Sequence, residues 1–203
     1  MSELAAVILQ QSRDLWGLEG VAVAAAITYL VLAIRQNIWC WLFAGVSTVI
    51  YVFLFIDARL YMESILNVFY FAMAVYGWHV WYYGRTEVEL PVSVWPARVH
   101  AIAVSVIVVM SGVSGFLLDR YTDAVFPYVD SLTTWSAIWA TFLVARKLLE
   151  NWWYWLVIDT ASVLIYWSRD LDLTALLFVV YVIMIPFGLL SWRRSMRAQA
   201  IAA

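Results

Sequence analysis

The 203 residues are 66% hydrophobic and 13% charged, with a mean hydropathy of +0.85 and a formal net charge of −2. A soluble domain is nearer half apolar and a quarter charged, so this composition points to an integral membrane protein. No basic block marks a nucleic-acid partner, and a single cysteine, Cys40, excludes an internal disulfide and a cysteine-rich metal site.

Met1 to Trp16 carries Glu3, Arg13 and Asp14 and lacks a basic stretch followed by an apolar core, so no cleavable signal peptide is expected. Seven apolar stretches follow, each near the roughly 20 residues that cross the hydrocarbon. Gly20 to Ile34, with Trp16 to Glu19 at the interface, ends at Arg35. Ile38 to Ile56 ends at Asp57, Ser64 to Tyr83 at Arg85, and Val99 to Leu118 at Asp119. Leu132 to Ala145 ends at Arg146-Lys147, and Leu173 to Trp192 at Arg193-Arg194. Between them, Trp152 to Ser168 is interrupted once, by Asp159. The predicted fold class is therefore all-α, an integral membrane protein of seven transmembrane helices.

The chain repeats itself. Asn37-Ile38-Trp39-Cys40-Trp41 recurs as Asn151-Trp152-Trp153-Tyr154-Trp155, 114 positions on. Tyr70, Gly77 and Trp81 recur as Tyr181, Gly188 and Trp192, 111 positions on. The expectation is one domain, 1–203, with a three-helix repeat at 16–83, a linker helix at 99–118 and a second repeat at 130–192. Three helices would invert the second copy; the fourth helix restores its orientation, giving a 3+1+3 arrangement of parallel repeats. Repeats of this kind are typical of transporters, which hold substrate where the copies meet. Basic residues set the orientation. With the N-terminus outside, Arg13, Arg59, Arg120 and Arg169 lie outside, while Arg35, Arg85, Arg98, Arg146, Lys147, Arg193, Arg194 and Arg197 lie inside. That excess predicts an outer N-terminus and a cytoplasmic C-terminus.

Three blocks in order carry a family resemblance: Leu60-Tyr61 through Ile65-Leu66-Asn67-Val68-Phe69-Tyr70 to Tyr76-Gly77-Trp78; Phe126 to Ser131; and Arg146-Lys147 through Glu150-Asn151-Trp152 to Trp155. Over roughly Ile34 to Trp192 the chain resembles the Pnu family of bacterial vitamin transporters. The resemblance implies a fold like that of the SWEET sugar transporters, a homotrimer with one pathway per subunit, and facilitated diffusion across the bacterial inner membrane. It implies as partner a cytoplasmic kinase that traps the substrate by phosphorylation, and no cofactor. The family's Trp-x-x-x-Asn substrate motif falls on Trp155 and Asp159, and its helix-3 Gln on Asn67. Asp for Asn, Asn for Gln, and an acidic Glu63 are departures, so thiamine stands beside nicotinamide riboside as substrate.

An ionisable residue within the hydrocarbon is expensive and usually functional. Asp159 reads as a substrate contact or as a structural carboxylate bonded to a neighbouring helix. Trp155, Ser162 and Tyr166 share its face at −4, +3 and +7. Glu63, Asn67, Tyr70, Ala74, Gly77 and Trp81 form a stripe on the third helix, matched on the seventh by Thr174, Phe178, Tyr181, Ile185, Gly188 and Trp192. Candidate substrate-binding residues are thus Trp155, Asp159, Ser162, Tyr166, Glu63, Asn67, Tyr70 and Tyr181. Glu63 also reads as a solvated helix start, and Asn67 and Tyr70 as interhelical packing. Pro186 marks a kink in the seventh helix. Asp130 is expected to cap the fifth, and the Arg146 to Trp152 segment, at the cytoplasmic end of the fifth and sixth, to serve as a topological anchor and to form a salt bridge.

Aromatic faces beside carboxylates attract a flat cation, such as a pyridinium or thiazolium, whereas a phosphorylated nucleotide would be repelled. No nucleophile–base pair, zinc motif or phosphate loop argues for an enzyme. His79 and His100 show no carboxylate or histidine at ligand spacing, so no metal is expected. A non-transporting sensor or scaffold is the remaining class.

Overall fold

The structure, a computed structural model, describes residues 2–57, 61–84, 90–122, 126–167 and 172–202. Among these residues there are seven α-helices: α1 Ser2–Ile34, α2 Cys40–Asp57, α3 Tyr61–Tyr83, α4 Ala97–Tyr121, α5 Pro127–Ala145, α6 Asn151–Trp167 and α7 Asp172–Ala202. All seven predicted spans fall within these helices to within a few residues. Hydropathy marks only the hydrocarbon crossing, however, and the helices run beyond it. The 33 residues of α1 and 31 of α7 amount to about 45–50 Å at 1.5 Å per residue, against about 30 Å of hydrocarbon. Gly17–Ile34, Ala97–Tyr121 and Ala175–Ile201 are each long and apolar enough to cross a membrane by themselves, and Cys40–Ile56 is a shorter apolar helix. The other three, α3, α5 and α6, bury the polar side chains Ser64, Ser131, Thr141, Asn151, Asp159 and Ser162.

The chain forms two compact units, Met1–Thr86 and Glu87–Ala203. In the first, α2 packs on both α1 and α3. Ser47 Oγ donates to the Ala22 carbonyl of α1 at 2.9 Å, and Ser64 Oγ of α3 donates to the Val52 carbonyl of α2 at 3.1 Å. Such hydroxyl bonds join helices where no hydrophobic force does. At the start of α2, the Trp41 ring lies over Gly77, where any Cβ would collide with it. Trp41 also meets Trp81 edge-to-face, at 5.5 Å and 86°.

In the second unit α5 packs on α4 and α6, and α6 on α7. α4 buries the stripe Ala103, Ile107, Ser111 and Gly115. Tyr128 of α5 occupies the space a Cβ on Gly115 would need, and Trp135 Nε1 donates to Ser114 Oγ at 3.2 Å. Trp152 lies over Gly188 and meets Trp192 edge-to-face, at 5.5 Å and 88°.

The two units share a turn. α1 ends at Ile34 and α2 begins at Cys40; α5 ends at Ala145 and α6 begins at Asn151. Each turn passes through one positive-φ residue, Gln36 at 56° and Lys147 at 50°. Its bonds correspond one for one. Asn37 N donates to Leu32 O at 2.9 Å where Leu148 N donates to Leu143 O at 3.0 Å, and Cys40 N to Asn37 O where Asn151 N donates to Leu148 O. The offset is 111 throughout. The 114-residue alignment of the Asn-x-Trp-x-Trp motifs is therefore corrected: Trp41 corresponds to Trp152, not Trp155. Tryptophan is abundant at these helix starts, and the glycine seat, not the local spelling, identifies the equivalent ring.

Asp130 does not cap α5. The cap position is Phe126, without a side-chain bond, and Pro127 opens the helix, as its fixed φ and missing N–H favour. Pro186 lies inside α7, which continues through it.

Candidate functional site

α6 begins where the Lys147 turn delivers it, with Asn151 Nδ2 donating to the Leu148 carbonyl at 2.6 Å. Two turns further on, Asp159 is 4% exposed and Ser162 is 7% exposed. Trp155, one turn before Asp159, is half-buried. The structure thus brings Trp155, Asp159 and Ser162 onto one face of α6. The side chain of Tyr166 lies outside the described residues.

No donor to the Asp159 carboxylate is present among the described residues. The equivalent position in the first unit shows why this matters. There, 111 residues earlier, Thr48 turns its hydroxyl back onto the Ala44 carbonyl at 2.8 Å. A hydroxyl can satisfy itself on its own helix. A carboxylate accepts only, and every interior helix N–H is already bonded. Asp159 is therefore a costly group that its own helix cannot satisfy, and the structural reading as a carboxylate bonded to a neighbouring helix finds no partner among the described residues.

The α3 stripe divides in two. Gly77 and Trp81 meet the Trp41 ring and Ala74 is buried on the same stripe, so this part is helix packing. Asn67 and Tyr70 are half-buried and engaged in contacts of their own, Tyr70 with Phe69 at 5.9 Å. The Glu63 side chain lies outside the described residues, as does that of Thr174. On α7, Gly188 and Trp192 likewise meet the Trp152 ring, and Ile185 is buried. Tyr181 is half-buried and meets Phe178 edge-to-face at 5.7 Å. The recurrence of Gly and Trp in α3 and α7 is explained by these ring seats.

Near the start of α6 the structure shows a cluster that sequence reasoning missed. His100 of α4 has a carboxylate partner after all, Glu150, with Nε2 3.4 Å from Oε1. Its Nδ1 lies 3.1 Å from the Tyr154 hydroxyl. The partner stands 50 residues away, so no local spacing could show it. Among the described residues no group of three or more His, Cys, Asp or Glu could hold a metal.

The family of nicotinamide mononucleotide transporters matches residues 17–194. The chain belongs to this family. It is 26% identical over 217 residues to the nicotinamide riboside transporter PnuC of Escherichia coli (strain K12), covering 94% of this chain and 90% of the relative. It is 22% identical over 169 residues to the riboflavin/roseoflavin transporter RibM of Streptomyces davaonensis, covering 80% and 78%. The crystal structure of the vitamin B3 transporter PnuC shares its fold, with a TM-score of 0.73 at 23% identity over 97% of this chain and 88% of that one. The protein is a multi-pass membrane transporter and not an enzyme.

Proposed function

We propose that this protein takes up nicotinamide riboside across the bacterial inner membrane by facilitated diffusion. The observation that carries the reading is Asp159, a buried carboxylate with no donor among the described residues, one turn from Trp155. A pyridinium beside a carboxylate and an indole gains Coulomb and cation–π attraction, both strengthened by desolvation. The family description speaks of the mononucleotide and the PnuC relatives of the riboside. The phosphate of the mononucleotide would bring negative charge toward Asp159, and this favours the riboside.

Substrate contacts are assigned to Trp155, Asp159, Ser162 and Tyr166 on α6, to Glu63, Asn67 and Tyr70 on α3, and to Tyr181 on α7. α1–α3 and α5–α7 are parallel repeats in a SWEET-like 3+1+3 arrangement, joined by α4. The turn found in both, with its common offset of 111, supports the repeat itself. The N-terminus faces outward and the C-terminus the cytoplasm. The active form is a homotrimer, and a cytoplasmic kinase traps the vitamin by phosphorylating it. Thiamine is the second substrate to weigh, because its thiazolium satisfies the same carboxylate. Calorimetric titration of purified protein with nicotinamide riboside, its mononucleotide and thiamine tests the reading. The riboside should bind tightest; a preference for the mononucleotide would contradict the charge argument.

A further inference from the structure

The segment before α4 is bonded to the start of α6. Ser93 N donates to the Lys147 carbonyl at 3.1 Å, and Leu149 N donates to the Ser93 carbonyl at 2.9 Å, forming one parallel bridge. Val92 N donates to Gln199 Oε1 of α7 at 3.1 Å. Trp95 N donates to Glu150 Oε1 at 2.8 Å. The next residue, Pro96, has no N–H, so the Trp95 donor ends this ladder, and an ionised carboxylate is the strongest acceptor for it.

Glu150 does more than receive Trp95. Its own carbonyl accepts from Tyr154 N at 3.4 Å, which opens the helical ladder of α6. The His100 imidazole spans Glu150 and Tyr154, one helical turn apart on the same side of α6. Its Nδ1 is in hydrogen-bond reach of the Tyr154 hydroxyl, while Nε2 meets Glu150 Oε1 as a close electrostatic contact at 3.4 Å and not as a hydrogen bond. α6 is thus held at two successive turns by groups from α4 and the segment before it. Trp155 and Asp159 lie about 100–180° around the helix from these contacts, at 100° per residue.

We propose that Glu150 and His100 form a clamp that positions α6 for substrate recognition, gripping one side of the helix so that the other presents Trp155 and Asp159 at a fixed depth. Glu150 is a positioning residue and does not touch the substrate. The proposal rests on the assignment of the α6 face to substrate binding. Recognition groups must be held to within a fraction of an ångström by the elements behind them, so a loosened helix start costs affinity.

The test is calorimetric titration of full-length detergent-purified protein with nicotinamide riboside, alongside a thermal melt. Glu150→Ala should weaken binding ~10-fold. Glu150→Gln keeps an acceptor for Trp95 and should stay within about threefold of the unsubstituted protein. Trp155→Ala is the control for the site itself. If it leaves affinity unchanged, the assignment of the α6 face fails and the clamp with it. If Trp155→Ala weakens binding but Glu150→Ala does not, the clamp alone is overturned. Equal weakening by Ala and Gln at position 150 also overturns it, because the acceptor is then irrelevant. Should Glu150→Ala not fold, His100→Ala and Tyr154→Phe carry the test. Unchanged affinity in both overturns the clamp, and weakened affinity in either upholds it.

Discussion

Gly188→Ala should destabilise the protein, against the usual gain from replacing a helical glycine. The new Cβ would enter the space of the Trp152 ring, which is 3% exposed and has no room to retreat without leaving Trp192. Overpacking of this kind costs about 1–3 kcal/mol. Losing the edge-to-face pair adds roughly 0.5–1.5 kcal/mol. Better helix propensity returns about 1 kcal/mol. The net loss is about 1–3 kcal/mol, and at roughly 2–4 °C per kcal/mol for a chain of this size the melting temperature should fall by several degrees. A thermal melt in detergent reads the change. Adding Trp152→Phe, whose smaller ring leaves room for the methyl group, should recover part of the loss. A melting temperature that is unchanged or raised by Gly188→Ala would refute the seating of Trp152 on Gly188.

Asp159→Asn should weaken nicotinamide riboside binding by about 10- to 150-fold, the worth of a desolvated charged contact of roughly 1.5–3 kcal/mol, without lowering the melting temperature. A lowered melting temperature with unchanged affinity would return Asp159 to a structural role. Trp155→Ala should weaken every flat cationic ligand by about 5- to 30-fold, since cation–π attraction does not depend on ring substituents. A reporter that works only in the cytoplasm, fused after Ala203, should be active; activity of a periplasmic reporter there would overturn the orientation.

The helices were legible because each apolar run is long and closes on a charge, as at Asp57 and Arg146. Their ends were less so. α7 continues past Arg193 and Arg194 because a helix does not stop where hydrocarbon does. The repeat was legible, but its register in α2 and α6 was not. Tryptophan is common at these helix starts, and only the burial of Trp41 and Trp152 on Gly77 and Gly188 shows which rings correspond. Asp159 was legible as a misplaced charge. Its contrast with Thr48 emerged only once the turn fixed the offset. The His100–Glu150 contact was hidden because it joins α4 to the α5–α6 turn across 50 residues, by way of a bridge at Ser93 that has no sequence pattern of its own.

Counterflow in proteoliposomes tests the central claim most directly. Vesicles preloaded with unlabelled nicotinamide riboside, with no ion gradient and no nucleotide, should accumulate the labelled riboside transiently above its external concentration, and Asp159→Asn should diminish that accumulation. No accumulation, or accumulation that strictly requires a proton or sodium gradient, would contradict a facilitative carrier for this vitamin.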